Sequence, residues 1–177
     1  MNTTSNSLVY RISVQCGGSL VITDKDGDPG TPDDASNLTD SPFDADNWTA
    51  GFDFKYCLEA QAGSSFSVSN SVVREAGTST GTYGTDQGIH VACDGAVVTN
   101  STFTNCSVGL FGMDNDGMVV ADCEFAGCLK GIMTRSGSSN GLITRNLIHQ
   151  CDEGTYIGGE YMEVSRNLVH NCTVLPF

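Results

Sequence analysis

Two pairs of side chains recur at one spacing. Arg145 and His149 stand four residues apart, and Arg166 and His170 repeat the pair 21 residues later. The chain holds only 8 Lys and Arg and 3 His against 21 Asp and Glu, so these four make a local reversal of sign. A guanidinium fork matches a planar oxyanion, which suits the pairs to a uronic-acid carboxylate or a sulfated sugar. A histidine so placed could also remove the proton α to a uronate carboxyl while an arginine neutralises that group. The competing reading is structural: outer positions of a repeat copy their neighbours, and Asp122, in the same column as Arg145 and Arg166, offsets their charge. The third histidine, His90 in Ile89-His90-Val91, reads as an outer-face residue rather than a base.

A second constellation is acidic. Asp24, Asp26 and Asp28 alternate around Gly27, and Asp33 and Asp34 follow. Alternating carboxylates about a glycine are what Ca²⁺ requires, since it takes six to eight oxygens from a flexible loop. The stretch resembles the Asp-rich calcium loops of thrombospondin type 3 repeats and EF-hands, although it lacks the closing bidentate Glu and is interrupted by Pro29 and Pro32. A solvated acidic loop is the alternative, so Ca²⁺ stands as the one cofactor expectation.

The elements that must position these residues follow from a repeat. Five segments align: Val68 to Ala76, Val98-Thr-Asn-Ser-Thr-Phe-Thr-Asn-Cys106, Val120-Ala-Asp-Cys-Glu-Phe-Ala-Gly-Cys128, Ile143-Thr-Arg-Asn-Leu-Ile-His-Gln-Cys151 and Val164-Ser-Arg-Asn-Leu-Val-His-Asn-Cys172. Their starts lie 30, 22, 23 and 21 residues apart. The runs are short, β-branched and broken by Asn and Gly, which favours strands over helices. A unit this short cannot bury its apolar face alone, so neighbours must stack. Parallel pairing of successive coils, about 4.8 Å apart, turns each aligned position into a ladder. The first and sixth positions are expected to point inward. The fourth (Ser71, Ser101, Cys123, Asn146, Asn167) is expected at a bend where Asn adopts the left-handed conformation. A glycine three residues after the last position (Gly109, Gly131, Gly154) is expected at another bend with positive φ. Gly51-Phe-Asp-Phe54 repeats the pattern of Gly88-Ile-His-Val91, which extends the coil towards the N-terminus.

These rows, Ile143-Thr-Arg-Asn-Leu-Ile148 with Gly154 above all, resemble the repeat of the pectate-lyase-like superfamily, roughly I-x-x-N-x-I followed by G-I. The resemblance implies an all-β fold, a right-handed parallel β-helix of about six or seven coils. It covers residues 66 to 172 within a single domain spanning 1–177. Residues 1–65 then form irregular N-terminal coils with an acidic loop at 23–50. Family catalytic signatures are missing as sets: neither the Asn-Thr-Asp, Asp-Asp and Gly-His-Gly group of the hydrolases nor the Arg-x-Pro-x-x-Arg of the lyases is present. Fold alone does not assign function.

A net charge of −13 argues against nucleic acid as a partner, and no apolar run is long enough to span a membrane. The first residues lack the pattern of a signal peptide. Eight cysteines would suggest disulfides, but four of them (Cys106, Cys128, Cys151, Cys172) fall in the column where Ala76 also stands, which reads as a buried thiol ladder. Cys16, Cys57, Cys93 and Cys123 lie outside it and could pair. Six sequons, at Asn2, Asn37, Asn47, Asn100, Asn105 and Asn171, point to an extracellular or cell-surface setting. The expected function is a non-catalytic extracellular module with a structural, adhesive or carbohydrate-binding role. Its partners would be a polysaccharide, or a second copy stacked end to end through uncovered coils. The alternatives are a small polysaccharide lyase or hydrolase acting on acidic glycans, and an accessory solenoid with no ligand.

Overall fold

A computed structural model describes residues 10–23, 56–74, 76–77 and 88–173. The chain winds through six coils among these residues. The first contributes β1 (Tyr10–Val14) and β2 (Ser19–Thr23), and the second β3 (Tyr56–Ala60), β4 (Ser65–Ser69) and β5 (Val72–Arg74). The third contributes β6 (Gly88–Val91), β7 (Val97–Thr99) and β8 (Thr102–Thr104), and the fourth β9 (Val108–Gly112), β10 (Val119–Ala121) and β11 (Glu124–Ala126). The fifth holds β12 (Lys130–Thr134), β13 (Leu142–Thr144) and β14 (Leu147–His149), and the sixth β15 (Glu153–Ile157), β16 (Glu163–Ser165) and β17 (Leu168–His170). Equivalent strands pair in parallel to make three sheets: A (β1-β3-β6-β9-β12-β15), B (β2-β4-β7-β10-β13-β16) and C (β5-β8-β11-β14-β17). This is a parallel β-helix.

The register places the aligned rows in contact. Val68, Val98, Val120, Ile143 and Val164 stack on sheet B. Val73, Phe103, Phe125, Ile148 and Val169 stack on sheet C. Both ladders point into one core with Leu58, Ile89, Leu110 and Ile132 of sheet A. Phe103 and Phe125 lie face to face at 4.7 Å between centroids. The sixth coil departs from the expectation of full burial, since Val164 is 48 % exposed and Val169 and Cys172 are partly exposed. Among the described residues it has a neighbour on one side only.

Two sequence expectations are corrected. The left-handed residue between sheets B and C is at the third position, not the fourth: Asn70, Asn100, Asp122, Arg145 and Arg166 have φ of 49° to 57°. The fourth-position side chains point inward instead and form a polar ladder. Asn167 Oδ1 accepts from Asn146 N–H at 2.8 Å, and Asn146 Oδ1 accepts from Cys123 N–H at 3.0 Å. Ser101 Oγ accepts from Ser71 N–H at 3.2 Å. Each coil thereby satisfies a buried donor of the coil before it, which a sheet that has just turned a corner cannot do with backbone alone.

The recurrent glycines are also not at positive φ. Gly109, Gly131 and Gly154 lie inside β9, β12 and β15, where a Cβ on Gly131 would stand 2.5 Å from Gly154 O and 2.9 Å from Ile148 Cγ2. Space, not backbone freedom, demands glycine there. The coil does extend N-terminal to residue 66, with Leu58-Glu59-Ala60 in register with Ile89-His90-Val91; the Gly51-Phe-Asp-Phe54 stretch lies outside the described residues.

All eight cysteines carry thiols. Cys106 and Cys151 donate to the carbonyls of Thr104 and His149, both at 3.4 Å. Hydrogen bonding to a neighbouring thiol, with burial second, pushes the Cys128 and Cys151 thiols well above the usual range, and burial raises Cys123 to about 11. These sulfurs pack as small hydrophobes.

Candidate functional site

The corner between sheets B and C carries the predicted arginines. Left-handed backbone turns each third-position side chain outward, so Asn70, Asn100, Asp122, Arg145 and Arg166 form an outer column. Asn100 Nδ2 donates to Asn70 Oδ1 at 2.5 Å. Arg145 grips Asp122 with both ends of its fork, at 2.7 Å from Nε and 2.6 Å from a terminal nitrogen. That contact holds the Asp122 carboxyl below the usual carboxylate range and raises the guanidinium. Arg166 is exposed and has no ion pair among the described residues.

The histidines occupy the outward seventh position on sheet C. His149 and His170 are register partners, and their rings stack at 5.3 Å with 6° between planes. Glu124 Oε1, one coil back and two positions along, is 2.9 Å from His149 Nε2. The sequence reading did not single out Glu124. Its signal was its diagonal relation to His149, within reach of a long side chain across neighbouring parallel strands. Beside this pair runs a shallow groove of about 400 Å³ lined by Asn100, Thr102, Asp122, Glu124, Arg145 and Leu147 among others.

The structure therefore brings together His149 with His170, and supplies carboxylate partners to Arg145 and His149. Arg166 and His170, on the sixth coil, have no carboxylate partner among the described residues. The offsetting role expected of Asp122 is met at Arg145. Asp24, Asp26, Asp28, Asp33 and Asp34 lie outside the described residues, and those residues contain no cluster of three His, Cys, Asp or Glu side chains suited to a metal ion. Of the sequon asparagines, Asn100, Asn105 and Asn171 are exposed at turns with φ of 50°, 55° and 54°. Asparagine is favoured at such positions for conformational reasons alone.

His90 is where reading by column fell short. It lies on the outer side of sheet A as expected, yet it is 4 % exposed and its Nδ1 is 3.8 Å from Glu59 Oε1.

The family profile described as "Right handed beta helix region" matches residues 39–175. The chain belongs to this family of right-handed parallel β-helix proteins. No curated protein and no solved structure matches it.

Proposed function

We propose that this β-helix is a non-catalytic, extracellular carbohydrate-binding module whose ligand lies along the corner of sheets B and C. The observation that carries the reading is the pair of outer columns: parallel imidazoles one strand apart, beside a groove edged by amide, hydroxyl, carboxylate and guanidinium groups. Sugars are bound by flat rings and planar polar groups presented on a rigid surface. Asn100, Thr102, Asp122 and Glu124 suit sugar hydroxyls. Arg166 and His170 suit a uronate carboxylate or a sulfate, since neither is engaged by a carboxylate among the described residues. Asn100, Asn105 and Asn171 are exposed, so their sequons are accessible to glycosylation in that setting. Val164, an inward position that is nonetheless 48 % exposed on the sixth coil, supports stacking on a second copy.

The test is a glycan array followed by titration of any binder. A charge-assisted hydrogen bond contributes about 1.5–3 kcal/mol, so Arg166→Ala should weaken an anionic glycan by about tenfold or more. His149→Ala should weaken neutral and anionic glycans alike. Undiminished binding by the Arg166→Ala, His149→Ala double variant would refute the site.

A further inference from the structure

The outward column of sheet A reads Ser13, Glu59, His90, Phe111, Met133, Tyr156 in register. Outward positions on a solenoid ordinarily meet water. Here Glu59, His90, Phe111 and Met133 are only 8, 4, 1 and 1 % exposed. Val108, Phe111 and Met133 form an apolar cluster separate from the main core, with Met113 packed against it. The column is thus buried at its middle and exposed at its ends, where Ser13 and Tyr156 stand.

His90 sits in this buried middle. Its ring stacks on Phe111 at 5.1 Å. Its Nδ1, 3.8 Å from Glu59 Oε1, is beyond hydrogen-bond distance, and neither ring nitrogen has a hydrogen-bond partner. Ser13 Oγ donates to the other Glu59 oxygen at 3.1 Å. The charged groups that face the imidazole are Glu59 on β3, Asp114 just beyond β9 and Arg11 on β1. A buried imidazole with both nitrogens unpartnered is unusual, and it cannot gain a proton without bringing charge into an apolar layer.

We propose that His90 is an acid-operated latch in sheet A: the neutral ring stays packed on Phe111 beside Glu59, and protonation drives it out of that layer. The sign follows from the burial. Desolvation outweighs the attraction of Glu59 and Asp114 and lowers the pKa of His90 in the packed state. A ring released into water titrates near 6.5, so it takes up its proton first as pH falls. Release is therefore unassisted above about pH 6.5 and favoured progressively below it, by up to about tenfold per pH unit, until the packed form also protonates.

Amide hydrogen exchange on the full chain at pH 7.5 and 5.5, corrected for intrinsic rates, tests this. β3, β6 and β9 should lose protection at the lower pH by several-fold, while β10 and β13 of sheet B keep theirs. His90→Leu should abolish the difference. Should that variant not fold, the ring titration of His90 in the native chain decides, with an expected midpoint below about 6.5. Unchanged protection at pH 5.5, an equal loss in sheet B, the same loss in His90→Leu, or a midpoint at or above that value would each overturn the latch.

Discussion

Replacing Asn146 by alanine tests what holds the corner between sheets B and C. The side chain is 2 % exposed and fully engaged. Its Oδ1 accepts from Cys123 N–H at 3.0 Å, and its Nδ2 donates to Val120 O and Asn167 Oδ1, both at 3.0 Å. Truncation leaves the buried Cys123 N–H without an acceptor, at about 1–3 kcal/mol, and removes two further bonds of about 1 kcal/mol each. The expected loss is about 3–5 kcal/mol, which in a chain of this size lowers the melting temperature by about 10 °C. Asn146→Ser should recover part of it, because Ser101 Oγ already performs the same service for Ser71 N–H at 3.2 Å. Asn100→Gly supplies the contrast. Asn100 is exposed with φ of 50°, so glycine there should be nearly neutral. Circular dichroism melts of the three variants decide the matter. A drop below about 3 °C for Asn146→Ala, or equal drops for Asn146→Ala and Asn100→Gly, would show that the inner ladder does not stabilise the coil.

Gly131→Ala should be far more damaging than Gly117→Ala: a Cβ at residue 131 collides with Gly154 O at 2.5 Å, whereas one at residue 117 meets nothing within 4 Å and carries only the strain of φ +69°. Urea unfolding should separate them by more than about 1 kcal/mol, and equal midpoints would remove the steric account. A thiol reagent on the native chain at neutral pH should modify Cys16 rapidly and Cys172 slowly, and reach the six buried cysteines only on unfolding. Rapid loss of more than two thiols would contradict the packing of the ladder.

The core columns were legible because they repeat like for like. Val120 and Ile143, or Phe125 and Ile148, meet β-branched or aromatic neighbours in successive coils, so an apolar choice suits them all. The corner was read one position out of place. Asparagine suits both a left-handed turn and a buried amide ladder, and residue type alone does not separate the two. Size did carry the distinction. The fourth position accepts Ser71, Ser101 and Cys123, all small and buried, while the third accepts Arg145 and Arg166, which no interior of this width could hold. Gly109, Gly131 and Gly154 hid for a similar reason, since glycine answers equally to positive φ and to close approach.

The outer face of sheet A was hidden by register rather than by chemistry. Matching Gly51-Phe-Asp-Phe54 to Gly88-Ile-His-Val91 sets Asp53 opposite His90. The observed pairing of Leu58 with Ile89 sets Glu59 there instead. Both segments offer a carboxylate flanked by apolar residues, so side-chain periodicity cannot choose between them, and a shift of a whole strand leaves the inside and outside pattern intact. What chooses is packing. Leu58 and Ala60 fill the core beneath Ile89 and Val91 with no exposure at all. The outward residues then follow without freedom, and Glu59 comes to lie beside a buried histidine. Outer columns in a solenoid owe their contacts to the register of the inner ones. The outer columns of Arg145 with Arg166 and His149 with His170 could be read ahead of the structure because three consecutive spacings there stay between 21 and 23 residues. The pairing of Glu59 with His90 could not, because long insertions separate the coils that bring them together.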